Sequence, residues 1–331
     1  MMRIGTVGTG FIVDGFIDAV SKTENVMVTS VFSRTEETAR AFAAKHNLSN
    51  WHTDREAFLN DPEVDVVYVA SPNSLHFQWS LDALQAGKGV ICEKPFVSTH
   101  AESEILRDLA QQKGLFLVEA ITVPHLPNFR MLPDHLHEIG PLTLVQLNFS
   151  QYSSRHKAFL EGKNPNVFNP AFAGGALMDI NYYNLRFMLD LFGEPEDVHY
   201  FANLAHNGID TSGVLIMKYP HFVAECTGAK DSRSENLVQI QGEKGYIKVP
   251  KETSRCMSFT VVNQEGEKTF NEQPEENVLV YEMREFSRMF QENDLAKRDE
   301  YLNMTCRAMK WLEKARKSGG VYFEGEKQDV H

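Results

Sequence analysis

The chain has 331 residues, more than one hydrophobic core usually serves, so two domains are expected. Its hydrophobic fraction of 42% and charged fraction of 24% are ordinary for a globular protein, and a net charge of -12 disfavours nucleic acid and anionic membrane as partners. The four cysteines, Cys92, Cys226, Cys256 and Cys306, have no metal or redox spacing and read as inert buried thiols. No charged leader opens the sequence and no apolar run approaches ~18 residues, so a cytoplasmic protein without a membrane span is expected.

From the N-terminus, short apolar runs alternate with amphipathic stretches, the pattern of βαβ units on a parallel sheet. Strands are expected at Arg3–Val7, Val26–Phe32, Val64–Ala70, Gly89–Cys92 and Leu115–Val118. Helical spacing marks Thr35–His46 and the stretch carrying Phe77, Leu81 and Leu84. Near residue 121 the pattern changes, with Pro124, Pro127 and Pro133 crowding a connection. Strand-like segments then follow at Leu142–Phe149, Val198–Asn203, Gly213–Lys218, Phe222–Thr227, Leu237–Gln241, Tyr246–Val249 and Ser258–Val262. Short turns such as Gly242–Gly245 join some of them, which predicts an antiparallel sheet. A long helix over Gly175–Phe192 interrupts the strands, and two helices close the chain, marked by Leu279, Met283, Phe286 and Phe290 and by Leu302, Cys306 and Met309. The fold class is therefore α/β, a Rossmann doubly wound parallel sheet over residues 1–121 followed by an α+β domain with a large antiparallel sheet over 122–331.

The first strand runs into Gly5-Thr6-Val7-Gly8-Thr9-Gly10-Phe11-Ile12-Val13. A dinucleotide loop needs one glycine for the tight turn and another so that backbone can approach the pyrophosphate, which then rests on amides at the helix N-terminus. Gly8 and Gly10 fill those places, and Phe11 and Ile12 supply amides. The third place, normally Gly or Ala, holds Val13, which suggests a wider helix–strand gap without loss of the site. The second strand ends in Ser33 and Arg34, where enzymes using NAD usually carry an acid. A carboxylate would repel a 2'-phosphate, whereas a hydroxyl and a guanidinium can bind it, so NADP is favoured and NAD remains possible.

Two further segments lie at C-terminal strand ends, where open α/β sheets bind ligands: Ser71-Pro72-Asn73-Ser74-Leu75-His76 and Glu93-Lys94-Pro95. A fourth, Gly174-Gly175-Ala176-Leu177-Met178-Asp179-Ile180-Asn181-Tyr182-Tyr183, opens the long helix. In this order over nearly the whole chain, the four resemble the Gfo/Idh/MocA family, named for glucose–fructose oxidoreductase, inositol dehydrogenase and a rhizopine-catabolism protein. The resemblance implies hydride transfer between nicotinamide C4 and an alcohol or carbonyl carbon of a sugar, polyol or diol, and a homodimer through the C-terminal sheet. It places Ser71, Pro72, Asn73 and His76 on the cofactor's ribose and pyrophosphate, and Glu93 and Lys94 beside the nicotinamide ribose, often with a cis bond before the Pro95 position. The usual helix signature ends in a histidine acid/base. Tyr183 stands there instead, and with Glu119-Ala120 resembles the subgroup of dimeric dihydrodiol dehydrogenase and xylose dehydrogenase. An arginine that commonly follows is absent from Thr122-Val123-Pro124-His125, so substrate identity does not carry over.

Alcohol oxidation needs a base for the hydroxyl proton, and a phenol serves only beside a cation that stabilises the phenolate. Lys94 is that cation in this reading. Asp179 and Tyr183, four apart, share a helix face, so the carboxylate can orient a substrate hydroxyl while the phenol handles its proton. Tyr182 points elsewhere. His125, His156 and His206 share no metal-ligand spacing, so no metal is expected. Asn148 and Tyr152, on one strand face by alternation, are either pocket-lining or plain sheet residues. Two other readings share the chassis: cofactor-assisted glycoside cleavage without net redox change, and a dinucleotide-binding regulator.

Overall fold

The computed structural model describes residues 1–326. The chain divides into two compact units, one of Met1–Ile121 with Glu275–Met309, the other of Thr122–Pro274 with the residues from Lys310. The N-terminal stretch of the first unit ends at Ile121. The segment 275–309, assigned by sequence to the second domain, belongs to the first unit.

In the first unit β1 (Met2–Val7), β2 (Val26–Phe32), β3 (Asn50–His52), β4 (Val66–Val69), β5 (Gly89–Glu93) and β6 (Leu117–Ala120) form one parallel sheet. Its order is β3-β2-β1-β4-β5-β6, so the strand order reverses between β1 and β4 and leaves a crevice at their C-terminal ends. Residues of β4, β5 and β6 are buried throughout, as parallel strands covered on both faces require. Val13, buried completely, sits in this core with Ile4, Phe16, Tyr68 and Ile91, and the rings of Phe16 and Tyr68 stack with centroids 3.6 Å apart. A β-branched side chain thus fills the place where the loop usually carries glycine.

The helix Leu279–Glu292 explains the return of the chain. Val280, Met283, Phe286 and Met289 form its buried stripe and join the same core. Each such side chain stabilises by roughly 1.5–3 kcal/mol on burial. Asn277 Nδ2 fastens the approach by donating to the Gly15 carbonyl and to Asp18 Oδ2, both at 2.8 Å. The apolar stripe was legible; which core it would join was not.

The second unit holds β7 (Leu142–Ser150), β8 (Asp197–Leu204), β9 (Asp210–Lys218), β10 (Val223–Ala229), β11 (Leu237–Gly242), β12 (Gly245–Pro250), β13 (Phe259–Asn263) and β14 (Gly266–Phe270). They form an eight-stranded sheet in the order β14-β13-β12-β11-β7-β10-β9-β8. The sheet is antiparallel except where β10 runs parallel to β7 from Val223 to Ala229, a departure from the all-antiparallel expectation. One face is buried through Val145, Leu147, Cys226, Leu215 and Ile240; the other carries partly exposed Leu144, Gln146, Asn148 and Ile216. The long helix of this unit begins as a π-helical turn, Leu177–Asn181, and continues as α-helix over Tyr182–Phe192. Such wide turns are rare and concentrate at functional sites. The four cysteines are free and buried, and burial pushes the thiols of Cys92, Cys226, Cys256 and Cys306 up, which leaves them unreactive. Among the described residues no helix is long and apolar enough to cross a membrane, and no group of three or more metal-ligating side chains occurs.

Candidate active site

In the first unit the glycine loop lies at the crevice between β1 and β4. Gly8 has φ +114°, and a Cβ there would fall 2.6 Å from the Ala70 carbonyl oxygen at the end of β4. Only glycine fits. Gly10 caps the helix Phe11–Ser21 with extended backbone and no side-chain cap, and a Cβ built on it would meet nothing within 4 Å. The Val13 and Asp14 amides already donate to the Gly10 carbonyl, at 2.9 and 3.4 Å, which leaves those of Phe11 and Ile12 as the helix-opening amides that suit a phosphate. The Phe11 side chain is 88% exposed. A pyrophosphate-bearing dinucleotide therefore fits the residues present.

At the end of β2 the Ser33 amide donates to the His52 carbonyl at 3.1 Å, which fixes the start of the next turn. Arg34 is exposed and forms no ion pair among the described residues, while Glu36 pairs with Arg40 at 3.5 Å. The acid a turn beyond is thus engaged elsewhere, and the guanidinium is left for an anion.

After β4, Ser71, Pro72 and Asn73 are partly exposed. His76 is not: its ring is 1% exposed, with Nδ1 3.0 Å from the Pro95 carbonyl oxygen and Nε2 2.9 Å from that of Ser71. Burial holds the imidazole below its ordinary pKa, helped by the Lys94 charge and opposed by the carbonyls. The sequence reading set His76 against the cofactor; a ring enclosed at both nitrogens instead ties the two loops together. The Lys94–Pro95 bond is cis. Glu93 is buried as well, with Tyr68 Oη donating to its Oε1 at 2.5 Å and the Lys94 amide to its Oε2 at 3.3 Å. Burial raises its carboxyl above the usual range, against the pull of Tyr68 and Lys94. Glu93 is accordingly a buttress beneath Lys94, which itself is partly exposed.

In the second unit Asp179 lies within the π turn and Tyr183 in the first α turn after it. Both are partly exposed, whereas Tyr182 between them is fully buried, as expected from its phase. The Tyr183 ring packs at 6.0 Å from that of Phe149. The Asp179 carboxylate forms an ion pair with Lys230, a residue that sequence reasoning missed. The signal was faint: one lysine closing a strand after Gly228 and Ala229. Its partner is remote in sequence.

The remaining candidates separate. Asn148 Nδ2 donates to Ser234 Oγ and to the Glu235 carbonyl, each at 3.0 Å, so it is a sheet residue pinning a loop. Tyr152 lies beyond the end of β7, edge-on to His156 at 5.2 Å. His156 is buried with Nδ1 unpartnered among the described residues, His125 is buried in the turn Val123–His125, and His206 stacks on Phe159.

A glycine turn at the reversal point of a doubly wound sheet is the geometry of a dinucleotide-binding Rossmann domain. Residues 2–120 match the oxidoreductase family with an NAD-binding Rossmann fold, and residues 136–248 match the GFO/IDH/MocA C-terminal domain. The chain is 37% identical to the oxidoreductase YgjR of Escherichia coli over 88% of its length and 89% of that protein. It is 34% identical to scyllo-inositol 2-dehydrogenase (NADP(+)) IolU of Bacillus subtilis over 98% of its length and 99% of that protein. In fold it is similar to a 3-ketoreductase from Actinomadura kijaniata solved with NADP and TDP-benzene, with a TM-score of 0.85, 22% identity and coverage of 97% and 99% of the two chains. The chain belongs to the Gfo/Idh/MocA family and is an NAD(P)-dependent oxidoreductase acting by hydride transfer.

Proposed function

We infer that this oxidoreductase is an NADP-preferring dehydrogenase of a sugar or polyol hydroxyl, with Lys94, Asp179 and Tyr183 as its chemical groups. The observation that carries the reading is the placement of Asp179 and Tyr183, both partly exposed, on successive turns where a π turn passes into α-helix. A carboxylate and a phenol so spaced suit a substrate bearing several hydroxyls. Asp179 accepts a hydrogen bond from one hydroxyl, and Tyr183 takes or returns the proton of the one that reacts. A phenol is competent near neutral pH only beside a positive charge, and Lys94 is the cation that this reading assigns to the task. When bound, the nicotinamide supplies the hydride acceptor or donor. Relatives named for scyllo-inositol and D-xylose support the substrate class. The test is turnover of scyllo-inositol, D-xylose and trans-dihydrobenzenediol with NADP and with NAD, followed by nicotinamide absorbance. At least one is expected to reduce NADP; silence on all three, or cleavage of glycosides without net reduction, would contradict the reading.

Cofactor choice rests on Arg34, exposed and without an ion pair among the described residues at the end of β2. Arg34→Ala is expected to weaken NADP by roughly 1.5–3 kcal/mol, the worth of a hydrogen bond to a charged group, and NAD far less. Equal losses in a binding titration of the two cofactors would refute this.

The open face of the second unit's sheet supports a homodimer. Phe201 is 61% exposed there, and Val223 and Leu237 stand on the same face as half-buried Leu144, Val214 and Ile216. Apolar side chains mixed with Gln146, Asn148 and Gln239 form a surface suited to a two-fold copy. Light scattering at micromolar concentration is expected to give twice the chain mass, and a monomer mass would count against it. Four buried, unpaired cysteines support a reducing compartment, the cytoplasm.

A further inference from the structure

Lys230 is an uncommon side chain for its location. It closes β10 with its amide donating to the Thr211 carbonyl and its carbonyl accepting from the Ser153 amide, both at 2.8 Å. The side chain is 4% exposed, and its Nζ passes 5.4 Å from the centre of the Phe168 ring to reach Asp179 Oδ2. Asp179, by contrast, is 33% exposed. A second carboxylate, the fully buried Asp210, also feels the Lys230 charge, which opposes the effect of burial on its ionisation. Asp210 Oδ2 accepts from the Leu177 amide at 2.7 Å and from Tyr200 Oη at 2.8 Å, so it anchors the first residue of the π turn that bears Asp179. Gly175 makes room for it: a Cβ there would lie 2.1 Å from Asp210 Oδ1.

A buried ammonium is a poor source of stability, because desolvation offsets most of what pairing returns. Its arrangement here does something else. Backbone on both sides fixes the lysine, and the lysine fixes one oxygen of a carboxylate that reaches the surface one turn before Tyr183.

We propose that Lys230 is a positioning residue for substrate, holding Asp179 so that its carboxylate binds a hydroxyl neighbouring the reacting carbon while Tyr183 carries the proton. This rests on the dehydrogenase reading above. The test measures kcat, KM for scyllo-inositol and the NADP dissociation constant in wild type, Lys230→Met, Lys230→Arg, Asp179→Asn and the Lys230→Met/Asp179→Asn double variant, each checked for folding by circular dichroism. Lys230→Met is expected to raise KM about 10- to 100-fold, the range for a lost hydrogen bond to a charged group, with NADP binding unchanged. Lys230→Arg, which keeps the charge, is expected to recover most of that loss. In the Asp179→Asn background the lysine change is expected to add little, because both act through one carboxylate. Lys230→Met with wild-type KM and kcat, or losses that simply multiply in the double variant, would overturn the proposal alone. Should Lys230→Met fail to fold, the single variants decide: Asp179→Asn raising KM while Lys230→Arg stays near wild type supports it, and Asp179→Asn with unchanged KM overturns it. A wild type silent on the whole polyol and sugar panel would overturn the dehydrogenase reading and this proposal together.

Discussion

Replacing Tyr183 by Phe is expected to lower turnover by about 10²–10⁴, the usual worth of a general acid/base, and to leave the NADP dissociation constant unchanged. The substitution removes one hydroxyl and keeps the ring that packs on Phe149 at 6.0 Å, so folding and the course of the helix Tyr182–Phe192 are preserved. The loss therefore reports the proton and not the packing. Steady-state kinetics on the best substrate of the panel, paired with cofactor titration, separates the two. Near-normal turnover in the variant would remove Tyr183 from the chemistry. The next residue to test would be His156, buried with Nδ1 unpartnered among the described residues, and then His125.

Lys94→Met is expected to be at least as damaging. Lys94 follows Glu93, whose carboxyl burial raises above the usual range, and it precedes a proline whose carbonyl lies 3.0 Å from the His76 ring. Its backbone is held from both sides, so removing the ammonium leaves the loop in place. Without the cation, ionising a phenol costs more, and the sign follows: whatever activity remains moves to higher pH, toward the ordinary phenol value near 10. A pH–rate profile of the variant checks this. A residual profile superimposable on that of the wild type would mean that Lys94 does not stabilise the proton acceptor.

The first unit was largely readable because parallel strands buried on both faces are near-continuous apolar runs, and Val64–Ala70 and Gly89–Cys92 show them plainly. What escaped was polar. Strand β3, Asn50–His52, is a three-residue edge, and β14 is an exposed Gly-Glu-Lys-Thr-Phe segment at the end of its sheet. The helix His100–Lys113 has little apolar content, although the Thr99 and Glu102 capping box at its start was there to be read. Pairing direction is a property of the assembled sheet, so nothing in β7 or β10 alone announces that they run parallel.

Of the candidate site, the parts legible in sequence are those where backbone geometry or spacing leaves a local signature. Gly8 is required by a positive φ against the Ala70 carbonyl, and a glycine spaced two before another at a strand end signals that need. Asp179 and Tyr183 could be put on one face by counting, though the π turn shifts their phase from that of a plain α-helix. That His76 and Glu93 are buried was not legible, since burial depends on neighbours that a short motif does not contain. Lys230 was missed for the same reason: its meaning comes from Asp179, and only folding brings the two together.

Hydride transfer itself is tested most directly with scyllo-inositol carrying deuterium on its ring carbons, NADP, and the wild-type enzyme. One deuterium per turnover is expected to appear in the reduced cofactor, at the nicotinamide C4, with a ketone as the other product. Reduced cofactor without label, or label lost to solvent while NADP remains oxidised, would contradict a dehydrogenase acting at a CH–OH carbon.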